Sequence, residues 1–266
     1  ALPVTRTSEV LVVDRVAWVS AAAAMSRTML EATGQKPAAT VGEKVGARLV
    51  GAQLGAALAF VATRLLGQYD PYSPPGRLLL VAPNIVAAER AMGVEPRGFR
   101  QWVCLHEQTH RAQFDAAPWL LTHLLGLMRR MFADDEASGG KSVGLLSAGQ
   151  GATFDRITAV MSLLEGHADV MMDRAAQGLV PQVAQLRRAM ETRRDAPGLV
   201  QLVFRVLGLT AKREQYRDGA RFCRAVIDRV GVDGLNRAFT GADLLPELAE
   251  LHDPDRWLRR VPARVG

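Results

Sequence analysis

The segment WVCLHEQTH, residues 102–110, carries the most specific pattern in this chain of 266 residues. It contains H-E-x-x-H inside a run that is compatible with a helix. Because helical residues advance by about 100° each, His106 and His110 return to one face, where two imidazole rings can bind one zinc ion. Glu107 lies beside that face and can accept a proton from a zinc-bound water without occupying a ligand position. The alternative is a pair of core histidines that are hydrogen-bonded to neighbours, with an incidental glutamate.

A catalytic zinc ion needs a third protein ligand, with the fourth position left to water. The segment SLLEGHADVMMD, residues 162–173, offers Glu165 and His167. On a helix Glu165 and Asp169 share a face, whereas His167 points about 200° away from Glu165. We therefore predict that Glu165 binds the metal and that Asp169 supports the second ring nitrogen of a ligand histidine. His167 stays open as the alternative third ligand.

Two further residues are weaker candidates for the site. Tyr216, at the end of KREQY (212–216), could donate a hydrogen bond to the oxyanion formed during hydrolysis, although a structural tyrosine is the simpler interpretation. Asn84 follows a predicted strand and could bind the backbone of an extended substrate. As a turn residue after Pro83, Asn84 also needs no such role.

Composition narrows the class of protein. Apolar residues make up 48% of the chain and charged residues 23%, as in folded globular proteins. The net charge of +6 comes mostly from arginines interleaved with acids, as in residues 187–195, which favours a solvated helix face over a nucleic-acid surface. Cys104 and Cys223 make no disulfide framework and the N-terminus shows no signal-peptide pattern, so we expect a cytoplasmic protein. The most apolar stretch, residues 49–66, contains a glutamine and an arginine and predicts a buried helix, so we expect no membrane partner.

The pattern along the chain predicts a mostly helical protein with a small β-sheet, in a single domain over residues 1–266 or in two tightly packed lobes. RLLLV, residues 77–81, predicts a short buried strand. We expect the active-site helix at about residues 96–115, because Pro96 suits a first helical turn and Pro118 ends the helix. The remaining pattern predicts loops at residues 67–76 and 134–151 and helices at residues 10–33, 41–66, 85–92, 118–132, 154–176, 180–194, 198–207, 212–230 and 231–239.

These motifs together resemble the zincin-like metallopeptidases that are described in actinobacterial genomes as hydrolases associated with deazaflavin-coenzyme biosynthesis. The matching segments are LGQYD (66–70), VAPNI (81–85), WVCLHEQTH (102–110) with Phe114 and PWL (118–120), LEGHA (164–168), KREQY (212–216) and GLN (234–236). The resemblance implies a mostly helical zincin-like fold. The spacing of Glu165 and Asp169 is similar to that of the glutamate-ligand zincins, in which the glutamate binds zinc and the aspartate supports the first histidine. The 54 residues between His110 and Glu165 exceed the compact thermolysin-like spacing, so Glu165 is carried over by inference.

We therefore expect a zinc-dependent hydrolase that cleaves a peptide or a small amide, with no nucleic-acid partner. Two imidazoles and a carboxylate favour zinc over other divalent ions. One alternative is an inactive zincin-fold scaffold or binding protein, in which a fourth protein ligand such as His167 closes a structural zinc site. A weaker alternative is a basic nucleic-acid binder, whose affinity would fall steeply with salt.

Overall fold

The computed structural model describes residues 2, 8–34, 41–137, 148–180, 183–193 and 217–261, and these residues are mostly helical, as predicted. The strands are β1 (Glu9–Val13), β2 (Gly67–Asp70) and β3 (Arg77–Val81). The helices are α1 (Arg15–Thr33), α2 (Val41–Ala62), α3 (Ala82–Met92), α4 (Pro96–Ala116), α5 (Leu120–Ala137), α6 (Ala148–Ala176), α7 (Val183–Arg193), α8 (Arg217–Asn236), α9 (Leu248–His252) and α10 (Pro254–Arg260). Two 3₁₀ turns, Arg237–Phe239 and Ala242–Leu244, connect α8 to α9.

The described strands form one sheet in the order β1-β3-β2. The central strand β3 pairs in parallel with β1 and antiparallel with β2. Four of its five residues are buried, which explains its unbroken apolar sequence and confirms the predicted strand at residues 77–81. Strand β2 occupies one edge of the sheet, and α4 packs beside it.

The prediction of one helix over residues 10–33 was wrong in its first turn. Residues 9–13 form β1, and α1 begins only at Arg15, where the side chain of Asp14 accepts a hydrogen bond from the backbone N–H of Ala17. Val10 and Val12 are apolar yet exposed, so β1 lacks the alternation of apolar and polar residues that identifies a strand.

Two predicted loops also need correction. The first four residues of the predicted loop at 67–76 form β2 and pair with β3, although they carry few of the side chains that favour strands. Within residues 134–151, α5 continues to Ala137 and α6 begins at Ala148, while residues 138–147 lie outside the described residues. The helix predicted at residues 198–207 also lies outside them.

Helices α6 and α8 cross with their backbones in contact. A Cβ atom on Gly166 would collide with the main chain of Gly219, and one on Gly219 would collide with the carbonyl of Ser162. Beneath the crossing lies a core that includes Leu163, Phe222 and other fully buried side chains. This contact holds α6 against α8, and α6 also packs against α4.

The helix predicted at residues 212–230 and its successor at 231–239 meet within α8. The backbone of Gly231 leaves the helical conformation there, with a φ of 75°, so the predicted boundary coincides with a kink.

Among the helices that the structure describes, none combines the length and hydropathy that crossing a bilayer requires.

Candidate metal centre

Helix α4 carries the H-E-x-x-H pattern, and its N-terminal half is anchored by buried side chains. It begins at Pro96, and Glu95 accepts hydrogen bonds from the backbone N–H groups of Arg97 and Gly98 at its N-terminus. One face buries Phe99 and Trp102 against the sheet. The apolar face therefore fixes the rotation of α4 about its own axis, and with it the direction of the histidines.

The rings of His106 and His110 converge, as one helical turn requires. Their Nε2 atoms are 3.2 Å apart, and the rings lie at 86° with centroids 4.8 Å apart. Two lone-pair-bearing nitrogens at this separation repel each other unless a proton or a cation lies between them. The local geometry is that of two ligands directed at one point.

Helix α6 brings Glu165 to the same point. Its Oε2 lies 3.7 Å from Nε2 of His106, and its Oε1 lies 3.7 Å from Nε2 of His110. Bonds of about 2.0–2.1 Å in a tetrahedral zinc site place ligand atoms about 3.3 Å apart, close to these separations. One donor atom from each of the three residues lies within 4.8 Å of the others, so this group could hold a metal ion.

Acidic side chains surround His106. Burial opposes a charge on its ring, but the interaction of the ring with the Glu165 carboxylate and the charges of Glu107 and Asp169 together raise the pKa of His106 to about 9. The same negative charges would favour a divalent cation. Within the described part of the chain, Nδ1 of His106 is buried without a hydrogen-bond partner, and Oδ1 of Asp169 lies 4.0 Å away. Asp169 thus lies on the predicted side of the ring, at a distance longer than a hydrogen bond.

Glu107 lies beside the two histidines and outside the group of three. Its side chain is buried, packs against Gly67 in β2, and accepts a hydrogen bond from the backbone N–H of Tyr69. Burial raises the pKa of the Glu107 carboxyl above its ordinary value, although the charges of His106 and His110 oppose the rise. The carboxylate is therefore held by a backbone N–H next to both histidines.

His167, the open alternative for the third ligand, has other partners. Its Nδ1 lies 3.0 Å from Nε2 of Gln113, its Nε2 lies 3.3 Å from Oδ1 of Asn236, and its ring packs edge-on against Phe239. Burial lowers the pKa of His167 to about 4, so the ring is neutral at physiological pH. It lies apart from the group formed by His106, His110 and Glu165.

Gln113 is the residue near the site that the sequence analysis missed. Its Oε1 lies 3.0 Å from Nδ1 of His110, and its side chain is fully buried. The available signal was its position three residues after His110, which places both side chains on one face of α4.

The structure gives Asn84 a different role from the predicted substrate contact. Its Nδ2 donates to the carbonyls of Ala62 and Leu65, both at 2.7 Å, and its Oδ1 accepts from Nε of Arg15 at 2.8 Å. The side chain is buried, and both its atoms are used in joining α1 and α3 to the end of α2. Tyr216 lies outside the described residues.

Comparison with known proteins agrees with this geometry. The profile of a family described as zincin-like metallopeptidases matches residues 1–258. The fold is similar to a crystal structure from Chloroflexus aurantiacus, of a protein provisionally described as a hydrolase with a novel fold. The two share 32% identity at a TM-score of 0.77, over 97% of this chain and 82% of the other. None of the curated proteins matches the chain. With the family profile covering nearly the whole sequence, this chain belongs to the zincin-like metallopeptidase family.

Proposed function

We propose that this protein is a zinc-dependent hydrolase that cleaves amide bonds in a peptide or a small amide, with Glu107 as general base. The observation that carries the proposal is the placement of Glu107. Its buried carboxylate adjoins both histidines, while a different carboxylate, that of Glu165, completes the ligand group. Ligand and base are therefore separate side chains, as metal-assisted hydrolysis requires.

His106, His110 and Glu165 would hold the zinc ion. When bound, zinc lowers the pKa of a water that it ligates to about 7 and polarises the substrate carbonyl. The side chain of Glu165 is 43% exposed, so the centre opens to solvent on the side of α6. Such an opening gives a substrate access to the metal.

Glu107 would move the proton. It would accept a proton from the attacking water and deliver it to the leaving amine. Burial raises the pKa of its carboxyl, and a general base works better as its pKa rises toward the working pH. The N–H of Tyr69 would hold the carboxylate in one orientation throughout.

The position of β2 supports an extended substrate. This strand lies at the edge of the sheet, and the N–H of Tyr69 is directed at Glu107. Peptides commonly bind by adding a strand to such an edge, and the main-chain hydrogen bonds would here come from groups of β2 other than the N–H of Tyr69, which Glu107 already uses. Tyr216 stays our candidate donor to the oxyanion, and the Tyr216→Phe variant would test it by a fall in kcat.

The alternative of an inactive scaffold with a structural zinc has less support. It requires a fourth protein ligand, and His167 is the nearest candidate from the sequence. Both ring nitrogens of His167 already have partners in Gln113 and Asn236. The proposal of an open, water-accessible metal agrees better with these contacts.

The test compares wild type with Glu107→Gln and His106→Ala on a library of fluorogenic peptides, with zinc content measured by mass spectrometry. We expect Glu107→Gln to keep its zinc and lose activity by about 10²–10⁴-fold. We expect His106→Ala to lose both. Glu31→Gln, a change at an exposed residue of α1, serves as the matched control. Equal cleavage by Glu107→Gln and wild type would refute the assignment of the base. A zinc-loaded wild type that cleaves no amide would favour the scaffold.

A further inference from the structure

We infer that Gln113 is a positioning residue that holds His110 in the tautomer needed for metal binding, and that His167 and Asn236 hold Gln113 in turn. The inference rests on the proposed metal site but does not depend on hydrolysis. It follows from a continuous row of hydrogen bonds, which runs from His110 on α4 through Gln113 and His167 to Asn236 at the end of α8 and is buried at its centre.

The orientation of the Gln113 amide is fixed by a backbone group. Its nitrogen lies 2.8 Å from the carbonyl oxygen of Leu164, which can only accept a hydrogen bond. The NH₂ group must therefore face α6, and Oε1 must face His110. With the side chain fully buried, no water competes for either end.

This orientation of the amide determines which ring nitrogen of His110 carries the proton. Oε1 of Gln113 can only accept, so Nδ1 of His110, 3.0 Å away, must carry the hydrogen. In a neutral imidazole the other nitrogen then has a free lone pair. That nitrogen, Nε2, is the atom that lies 3.7 Å from Oε1 of Glu165 and 3.2 Å from Nε2 of His106. Gln113 thus selects the metal-binding tautomer before any metal arrives.

The same reasoning gives His167 its role. The second hydrogen on the Gln113 nitrogen points to Nδ1 of His167, which must accept it. The proton of His167 therefore resides on Nε2 and is donated to Oδ1 of Asn236. His167 and Gln113 are both buried, so an unmatched donor or acceptor here would cost about 1–3 kcal/mol. The row is satisfied by one arrangement of protons.

The two proposed histidine ligands differ in the hydrogen-bond partner of Nδ1. His110 has a neutral amide partner at hydrogen-bond distance, whereas Nδ1 of His106 has none among the described residues. The metal affinity should therefore depend on Gln113 through His110 alone. Outer-shell partners of this kind are worth about 10–100-fold in metal affinity.

The test begins with wild type, in which nitrogen-15 NMR of the metal-free protein near pH 8 reports the tautomer of each ring. The chain has five histidines, so single substitutions assign the signals. We expect His110 protonated on Nδ1 and His167 protonated on Nε2. The opposite tautomer at either ring would overturn the inference, and this measurement requires no variant at Gln113 to fold.

The second measurement is zinc affinity by competition with a chelator. We expect Gln113→Met, which keeps the length of the side chain, to weaken zinc binding about 10–100-fold and to mix the His110 tautomers. Gln101→Met, an exposed change on the same helix, is the matched control and should leave both unchanged. Unchanged affinity and tautomers in folded Gln113→Met would overturn the inference, even if Glu107→Gln abolished hydrolysis. Loss of hydrolysis in Glu107→Gln tests the proposed function separately.

Discussion

A Cβ atom added to Gly67 would lie 2.8 Å from Cγ of Glu107, so β2 and α4 meet with no room for a side chain between them. The same substitution would bring the new atom within 2.9 Å of Oε1, at the carboxylate itself. Gly67 therefore sets how deeply Glu107 can rest against the sheet. The N–H of Tyr69, two residues on, then orients the carboxylate.

The first prediction is that Gly67→Ala lowers kcat/KM by about 100-fold while zinc content is unchanged. The added methyl group must displace the Glu107 side chain, and a displacement of about 1 Å in a catalytic group can cost this much. Steady-state kinetics and metal analysis would check it. Gly55→Ala on α2 is the control, since a Cβ there meets nothing within 4 Å. Wild-type kinetics for Gly67→Ala would show that Glu107 is not the base or tolerates the shift.

The second prediction concerns stability. Gly166→Ala inserts a methyl group into the backbone contact between α6 and α8, and we expect a loss of about 1–3 kcal/mol in the free energy of unfolding. Gly151→Ala on the same helix meets nothing within 4 Å and should be neutral or more stable by up to about 1 kcal/mol. Urea denaturation of both variants measures the difference. Equal stability of the two would mean that the helices separate without cost.

The sequence predicted those parts of the site that depend on local geometry. His106 and His110 are one helical turn apart, so their convergence follows from the helix alone. The same rule separated Glu165 from His167 on α6, and the structure directs these two side chains to different partners. The buried strand β3 was recognisable because its apolar run is uninterrupted.

Features that depend on contacts distant in sequence could not be predicted in this way. Gln113 bonds to residues 51 and 54 positions away, and His167 reaches Asn236 across 69 positions. Strand β2 exists because β3 offers it a pairing edge, and nothing in its four residues indicates this. The strand that precedes Asn84 gives no indication of its partners on α1 and α2, so the sequence alone permits the interpretation of Asn84 as a substrate contact.

A third prediction follows from an ion pair between α9 and α10. Arg260 on α10 binds the buried carboxylate of Glu250 through two nitrogens, at 2.8 and 2.7 Å. Burial opposes ionisation of Glu250, but the hydrogen bonds from Arg260 and from the backbone N–H of Glu247 outweigh it and lower the pKa below its ordinary value of 4.5. A lowered pKa in the folded state means that the carboxylate stabilises the protein above pH 4.5.

We therefore expect Glu250→Gln to lower the free energy of unfolding by about 1.5–3 kcal/mol at pH 7, the usual worth of a hydrogen bond to a charged group. The difference from wild type should shrink as the pH falls below 4.5 through the folded pKa, because Glu250 is then protonated in both states. Urea denaturation at several pH values measures it. Glu31→Gln, at an exposed residue, should show no such dependence. A difference that stayed constant with pH would contradict the prediction.

The fourth prediction tests whether the carboxylate of Glu165 takes part in zinc binding. Zinc at a thousandfold excess over Kd should stabilise wild type against unfolding by about 4 kcal/mol, because it binds the folded state. Glu165→Gln removes the charge and keeps the size, so it should lose most of this gain, and His110→Ala should lose all of it. His123→Ala, on α5 and outside the ligand group, is the matched control and should gain as wild type does. Thermal unfolding with and without zinc measures each case. If Glu165→Gln kept the full stabilisation, zinc binding would need neither the charge nor the ligand atoms of this carboxylate, and the third ligand would have to be another group.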